Sequence, residues 1–112
     1  MDEKTIRRVK EHLETIAMEE EIELDEVIIF GSRAREDYRS GSDIDILIVS
    51  QDFENVPKAR RSREFYLKWG YEKFPEPEFI CLTPQEFAEK KVKKPHIVRT
   101  AIEEGIAIVQ TN

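Results

Sequence analysis

Two acidic residues stand two positions apart, immediately ahead of an apolar run. Asp43 and Asp45 flank Ile44, and Ile44–Val49 is rich in β-branched residues and has the length of a strand. Alternate residues of a strand point to the same face, so both carboxylates face one side with Cα atoms roughly 6.5–7 Å apart. Two such acids repel each other unless a cation lies between them. The spacing therefore predicts a site for a divalent cation.

A glycine-serine pair ends the preceding apolar run. Val27–Phe30 predicts a strand, and Gly31 and Ser32 follow it directly, ahead of a short helix-forming stretch. The N–H groups at a helix start favour an anion such as phosphate, and a glycine lets the backbone approach that anion closely. Ser32 can cap the helix and also donate its hydroxyl to a phosphate oxygen. A phosphate cradle beside a metal clamp is typical of a nucleotide site.

The stretch between the two strands contains further candidate ligands. Arg33 and Arg35 are candidates for contacts with a triphosphate, although exposed helix arginines are commoner. Ser42 ends a Ser-Gly-Ser turn that brings the chain close to Asp43, and we count it among the nucleotide-binding candidates.

These residues together resemble a known signature. Gly31-Ser32, followed ten residues later by Ser42-Asp43-Ile44-Asp45, is similar to the motif of the DNA polymerase beta-type nucleotidyltransferase superfamily. The resemblance is greatest to its small stand-alone branch, the minimal nucleotidyltransferases, which includes antitoxins that partner HEPN-domain toxins. It extends from about Val27 to the end of the chain. One departure is Glu36, where the family usually has glycine.

The resemblance implies a third acid at the head of a later strand, followed by a Thr-Pro turn. Glu78 precedes Phe79–Leu82 and then Thr83-Pro84 at that spacing. Glu76, two residues earlier on the same face but between prolines, is the alternative.

The activity implied by the resemblance is nucleotidyl transfer with two metal ions. Asp43 and Asp45 would hold two Mg²⁺ ions, which suit hard carboxylate ligands, and Glu78 would bind the catalytic ion and help to deprotonate the acceptor hydroxyl. Gly31 and Ser32 would hold the β- and γ-phosphates of the donor, which in this family is usually ATP.

The expected fold is a single α/β domain over residues 1–112, with a small mixed sheet of about four strands and helices mainly on one face. A shared site at the end of the first strand and the start of the second requires these strands to be antiparallel. The second and third strands would then be parallel, joined by a helical crossover over residues 56–69. An amphipathic helix over residues 3–20 precedes the sheet, and Ile106–Val109 is expected at its edge.

Several other residues have charged or reactive side chains, but the sequence does not assign them a functional role. Basic residues of the crossover are candidates for holding an acceptor or the triphosphate, but a solvated helix face is the favoured interpretation: Lys58, Arg60, Arg61, Arg63 and Lys68. His12 is expected on the surface, His96 has no His or Cys nearby with which to bind a metal, and Cys81 is expected in the core.

Composition limits the partners. Charged residues make up 38% of the 112 residues and the net charge is −6, which disfavours stable binding to nucleic acid or to an anionic membrane. One cysteine and no long apolar run favour a cytoplasmic protein. The resemblance implies a HEPN-type protein as acceptor, modified by adenylylation, and a homo-oligomer is another possibility. Two alternatives stay open: an antitoxin that acts by contact alone, and a nucleotide-sensing regulatory subunit.

Overall fold

The computed structural model describes residues 1–31, 43–93 and 96–110. Within these ranges four strands form one sheet in the order β3-β2-β1-β4. In chain order the elements are α1 (Glu3–Glu19), β1 (Glu26–Phe30), β2 (Ile44–Val49), a 3-10 turn (Gln51–Phe53), α2 (Lys58–Arg61), α3 (Arg63–Leu67), β3 (Pro77–Leu82), α4 (Pro84–Lys90), α5 (Ile97–Glu104) and β4 (Ile106–Val109).

The strand directions agree with the sequence-based prediction. β1 is antiparallel to β2 and β4, and β2 is parallel to β3, so the sheet is mixed as expected. β4 lies at one edge, also as predicted, and β3 lies at the other. The edge position explains how β3 can begin at Pro77, which has no N–H to donate.

Each face of the sheet supports a hydrophobic cluster. On one face α1 packs with Phe65 and Trp69 against alternate residues of the strands, among them Val27 and Ile46. On the other face α4 and α5 cover the remaining strand residues. The fold class is thus confirmed, but the helices are shared between the faces rather than lying mainly on one. The reason is that the central strands β1 and β2 are apolar at nearly every position and need cover on both sides.

The crossover from β2 to β3 differs in detail from the prediction. The expected helix over residues 56–69 is interrupted at Ser62, which separates α2 from α3. Phe65 and Trp69 are fully buried, whereas Ala59 is exposed. The inward-facing residue of α2 is instead Arg61, whose guanidinium donates hydrogen bonds to the carbonyl oxygens of Val56 and Cys81.

His12 was expected on the surface, and this is wrong. Its Nε2 lies 2.7 Å from the carbonyl oxygen of Lys68, and its ring packs near those of Trp69 and Phe74. The segment that follows α3 folds back over α1 and covers the imidazole. His96 has a local role instead, because its Nδ1 accepts a hydrogen bond from the Val98 N–H at the start of α5.

Cys81 is in the core, as predicted. Burial raises the pKa of its thiol to about 12, which keeps it protonated and unreactive at neutral pH. None of the helices in the described ranges is both long enough and apolar enough to cross a membrane.

Candidate active site

Strand register brings two of the predicted acids together. Asp45 of β2 is the direct partner of Glu78 in the parallel β2–β3 pair, so their Cα atoms are about one strand spacing, roughly 4.8 Å, apart. Both side chains lie on the α4–α5 face, because the adjacent strand residues Ile44, Ile46 and Phe79 belong to the opposite cluster. Glu76 precedes β3, and its carbonyl accepts the Ile44 N–H at 2.8 Å. The register therefore favours Glu78 over Glu76 as the neighbour of Asp45.

Gly31 is in contact with this pair. It follows β1, whose last residue Phe30 is the antiparallel partner of Asp45. Its backbone has a positive φ of 80°, and a Cβ built on it would overlap Oδ2 of Asp45. Glycine is thus required at this position by conformation and by space. The structure places the glycine bend and the second acid side by side, as the motif predicts.

The surroundings of Asp45 disfavour its charge. Burial raises the pKa of Asp45, and the negative charges of Glu78 and Asp43 raise it further. No described residue donates a hydrogen bond or forms a salt bridge to the Asp45 carboxylate. A charge held against burial and two like charges becomes less costly when a cation binds beside it.

The donor set suits Mg²⁺, because all three groups are hard carboxylate oxygens. The arrangement is not a closed cage: within the described residues, no three His, Cys, Asp or Glu side chains form a cluster able to hold a metal ion. Asp43 and Glu78 are exposed, whereas Asp45 is confined next to Gly31. The two exposed acids are therefore free of core packing, whereas Asp45 is held in place.

Within the described residues, the other nucleotide-binding candidates are not seen next to Asp45. Ser32, Arg33, Arg35 and Ser42 lie outside the described residues. Of the crossover cations, Lys68 is engaged elsewhere, since its Nζ lies 2.8 Å from carboxylate oxygens of both Glu19 and Glu20.

Arg61 is engaged as well. Its Nη1 bonds Glu86 at 2.6 Å and the Cys81 carbonyl at 3.2 Å, and its Nε bonds the Val56 carbonyl at 2.9 Å. A buried guanidinium with these partners has a structural role. The remaining crossover cations, Lys58, Arg60 and Arg63, are exposed, as the solvated-face interpretation predicts.

Tyr66 supports the site in a way that the sequence analysis missed. Its hydroxyl accepts a hydrogen bond from the Phe79 N–H at 3.0 Å, one residue after Glu78, and its ring packs edge-on against the Phe79 ring. The contact holds the backbone of β3 one residue after Glu78. The position of Tyr66 in the sequence does not indicate this contact, because a half-buried tyrosine on a crossover helix is usual in core packing.

Comparisons with known proteins identify the family and the fold. Residues 6–108 match the family model described as the nucleotidyltransferase domain. The fold is similar to the crystal structure of a "putative nucleotidyltransferase from Sulfolobus solfataricus", with 27% sequence identity and a TM-score of 0.59, over 91% of this chain and 77% of the other. No curated protein matches the chain significantly.

Proposed function

Since the chain belongs to the nucleotidyltransferase domain family, we propose that it transfers AMP from ATP to a hydroxyl group on a partner protein. The observation that supports this site best is the pairing of Asp45 with Glu78 in adjacent parallel strands, against the backbone of Gly31. Nucleotidyl transfer is what the family implies in general. The donor, the acceptor and the metal dependence are our proposal.

The reaction joins the acceptor oxygen to the α-phosphorus of ATP and breaks the bond from that phosphorus to the β-phosphate bridge, so that pyrophosphate leaves. Asp43, Asp45 and Glu78 would hold Mg²⁺, which neutralises the phosphate charge when bound. Glu78 is the exposed member of the register pair, and it would accept the proton of the attacking hydroxyl. Gly31 would let the backbone approach the leaving phosphates, because no side chain stands in the way.

The two acids of the register pair lie on strands in different positions of the sheet. Asp45 is held by β2 at the centre of the sheet, whereas Glu78 is on the edge strand β3. Glu78 is exposed to solvent, so an acceptor could reach its carboxylate. Positioning and charge neutralisation account for most of the catalysis in transfers of this kind, so a fixed strand register is an effective scaffold.

The acceptor that we propose is a HEPN-type protein, following the resemblance to the minimal nucleotidyltransferases. The test is to incubate the purified chain with Mg²⁺, ATP labelled at the α-phosphate and the protein encoded by the adjacent reading frame. Transfer of label to that protein is the expected result. Asp45→Asn and Glu78→Gln should abolish the transfer.

Glu76→Gln is the matched control, since it removes a neighbouring carboxylate whose residue precedes β3 and is not a register partner of Asp45. Equal loss of labelling in Glu76→Gln and Glu78→Gln would contradict the assignment of Glu78. Neutralisation of the partner without any label would indicate an antitoxin that acts by contact. ATP binding without label or pyrophosphate release would indicate a nucleotide sensor.

A further inference from the structure

The two edges of the sheet are built differently. At the β3 edge three of the outward backbone positions are blocked or occupied: Pro77 has no N–H, the Phe79 N–H donates to the Tyr66 hydroxyl, and the Cys81 carbonyl accepts from Arg61. These devices stop another strand from pairing there.

β4 has no comparable protection within the described part of the chain. Its four residues are apolar and uncharged, Ala107 is exposed, and the other three are half-buried. On its inner side it pairs with β1, and no described residue hydrogen-bonds to its outer side. An uncharged edge strand with free backbone groups is a template for strand addition.

A groove runs beside this edge. It has a volume of about 300 Å³ and lies between α1 and β4, with an apolar floor formed by Ile6 and residues 106–108. Glu3, Arg7 and Lys10 of α1 line its rim. Glu3 and Lys10 are seven residues apart, so the acid and the base are separated by two helical turns, roughly 10.5 Å, on one side of the helix.

We propose that this edge is a self-association surface at which a second copy of the chain adds its own β4 antiparallel to the first. A twofold axis perpendicular to the sheet would place the two α1 helices antiparallel, on the same face of a continuous eight-stranded sheet. If the axis passes between Ile6 and Arg7, Glu3 of each copy faces Lys10 of the other. This antiparallel charge complementarity favours a second copy over an unrelated peptide, which would use the strand edge alone.

The arrangement leaves both candidate active sites open. From β2 of one copy to β2 of the other there are five strand spacings, roughly 24 Å, and the twofold axis puts the two sites at opposite ends of the strands. The proposal therefore does not depend on the proposed function, and dimerisation and nucleotidyl transfer can fail separately.

The test is sedimentation velocity of the full chain over a concentration series, with three charge variants. The wild type should form dimers at micromolar concentrations. Lys10→Glu places two acids opposite each other and should weaken dimerisation by at least about tenfold. Glu3→Lys combined with Lys10→Glu exchanges the two charges and should restore it. Lys4→Glu is the matched control, an identical change at an exposed α1 residue outside the groove, and should dimerise as the wild type does.

A second variant tests the strand itself. Ala107→Lys introduces a charge at the exposed position of β4, and it should give a monomer whose circular dichroism and thermal midpoint are close to those of the wild type. A wild type that stays monomeric throughout the concentration series overturns the proposal. Dimers unaffected by Lys10→Glu and Ala107→Lys overturn it too, because they must then use another surface.

Discussion

Asp45 and Glu86 are both partly buried carboxylates, yet the fold treats them in opposite ways. Glu86 accepts hydrogen bonds from Arg61 at 2.6 Å and from the Thr83 N–H at 2.9 Å. Although burial raises the pKa of Glu86, these bonds and the Arg61 charge lower it to about 2. Burial also raises the pKa of Asp45, but there the neighbouring acids Glu78 and Asp43 raise it further.

The difference separates a charge that is paired within the fold from one that no described residue pairs, and it supports our proposal that Asp45 acts in the reaction. The charge of Glu86 is neutralised within the fold, in a cluster that ties α2, β3 and the capping box of α4 together. The ionised form of Asp45 lowers the stability of the fold, because burial and two like charges oppose it. A cation bound beside it would offset this destabilisation. Groups with perturbed pKa values that are held against their surroundings are concentrated at functional sites.

Asp45→Asn should produce the largest change in activity. Removing the central carboxylate should lower the rate of nucleotidyl transfer by at least about 100-fold, as loss of one preorganised electrostatic group commonly does. The same variant should be more stable at neutral pH, because the repulsion from Glu78 and Asp43 disappears. Labelling assays and thermal denaturation measure the two effects. A variant that loses both activity and stability would show that Asp45 has a structural role.

Arg61→Met should produce the largest change in stability, with normal activity per folded molecule. It removes the partner of Glu86 and the donor to the Cys81 carbonyl, and breaking a buried pair from one side costs about 3 kcal/mol of unfolding free energy. Urea denaturation measures this loss. Lys68→Met is the control, since its pairs with Glu19 and Glu20 are more exposed and should contribute less than about 1 kcal/mol. Equal effects of the two variants would contradict the comparison.

Gly31→Ala probes the contact between the glycine bend and Asp45. The methyl group would overlap Oδ2 of Asp45 and force a side chain onto a positive φ, at a cost of about 1–3 kcal/mol. In an Asp45→Ala background the overlap is gone and only the backbone strain remains, so the cost should be smaller. A double-mutant cycle by denaturant unfolding gives the difference. Additive effects would mean that the two residues are not in contact.

The parts of the site that the sequence predicts are those fixed by strand geometry. The Gly31 motif and the Asp43–Asp45 spacing imply antiparallel strands, and the third acid that the family resemblance implies at the same end adds a parallel third strand. These pairings are present, and they align Asp45 with Glu78. Strand direction is predictable here because a site at strand ends allows few topologies.

The residues that the sequence did not place are those whose partners are distant in the chain. Arg61 bonds Glu86, 25 residues away, and His12 lies against the Lys68 carbonyl, 56 residues away. Local pattern assigns a polar residue with charged neighbours on a helix to solvent, and tertiary contacts override that preference. The sharing of helices between the two faces has the same origin, because it depends on burial of both sides of β1 and β2.

Glu86→Gln should produce the smallest effect, a change in the acid limb of the stability curve. The unfolded carboxyl has an ordinary pKa of 4.5 and the folded one about 2, so between these pH values the unfolded state binds more protons. The Glu86 contribution is therefore fully present above about pH 4.5 and is lost as the pH falls toward 2. In Glu86→Gln the stability should fall less steeply over that window. Glu89→Gln, at an exposed position of α4, should leave the slope unchanged.

Asp45→Asn should change the pH dependence in the opposite sense. Because the folded pKa of Asp45 is raised, ionisation at rising pH destabilises the fold, and the amide removes that loss. The advantage of Asp45→Asn over the wild type should therefore grow as the pH rises through the titration of this group, whereas Glu86→Gln should be at its greatest disadvantage above about pH 4.5. Urea denaturation across this pH range distinguishes the two. If both variants change the unfolding free energy in the same direction as the pH rises, the environments of the two carboxylates do not have opposite effects on folding.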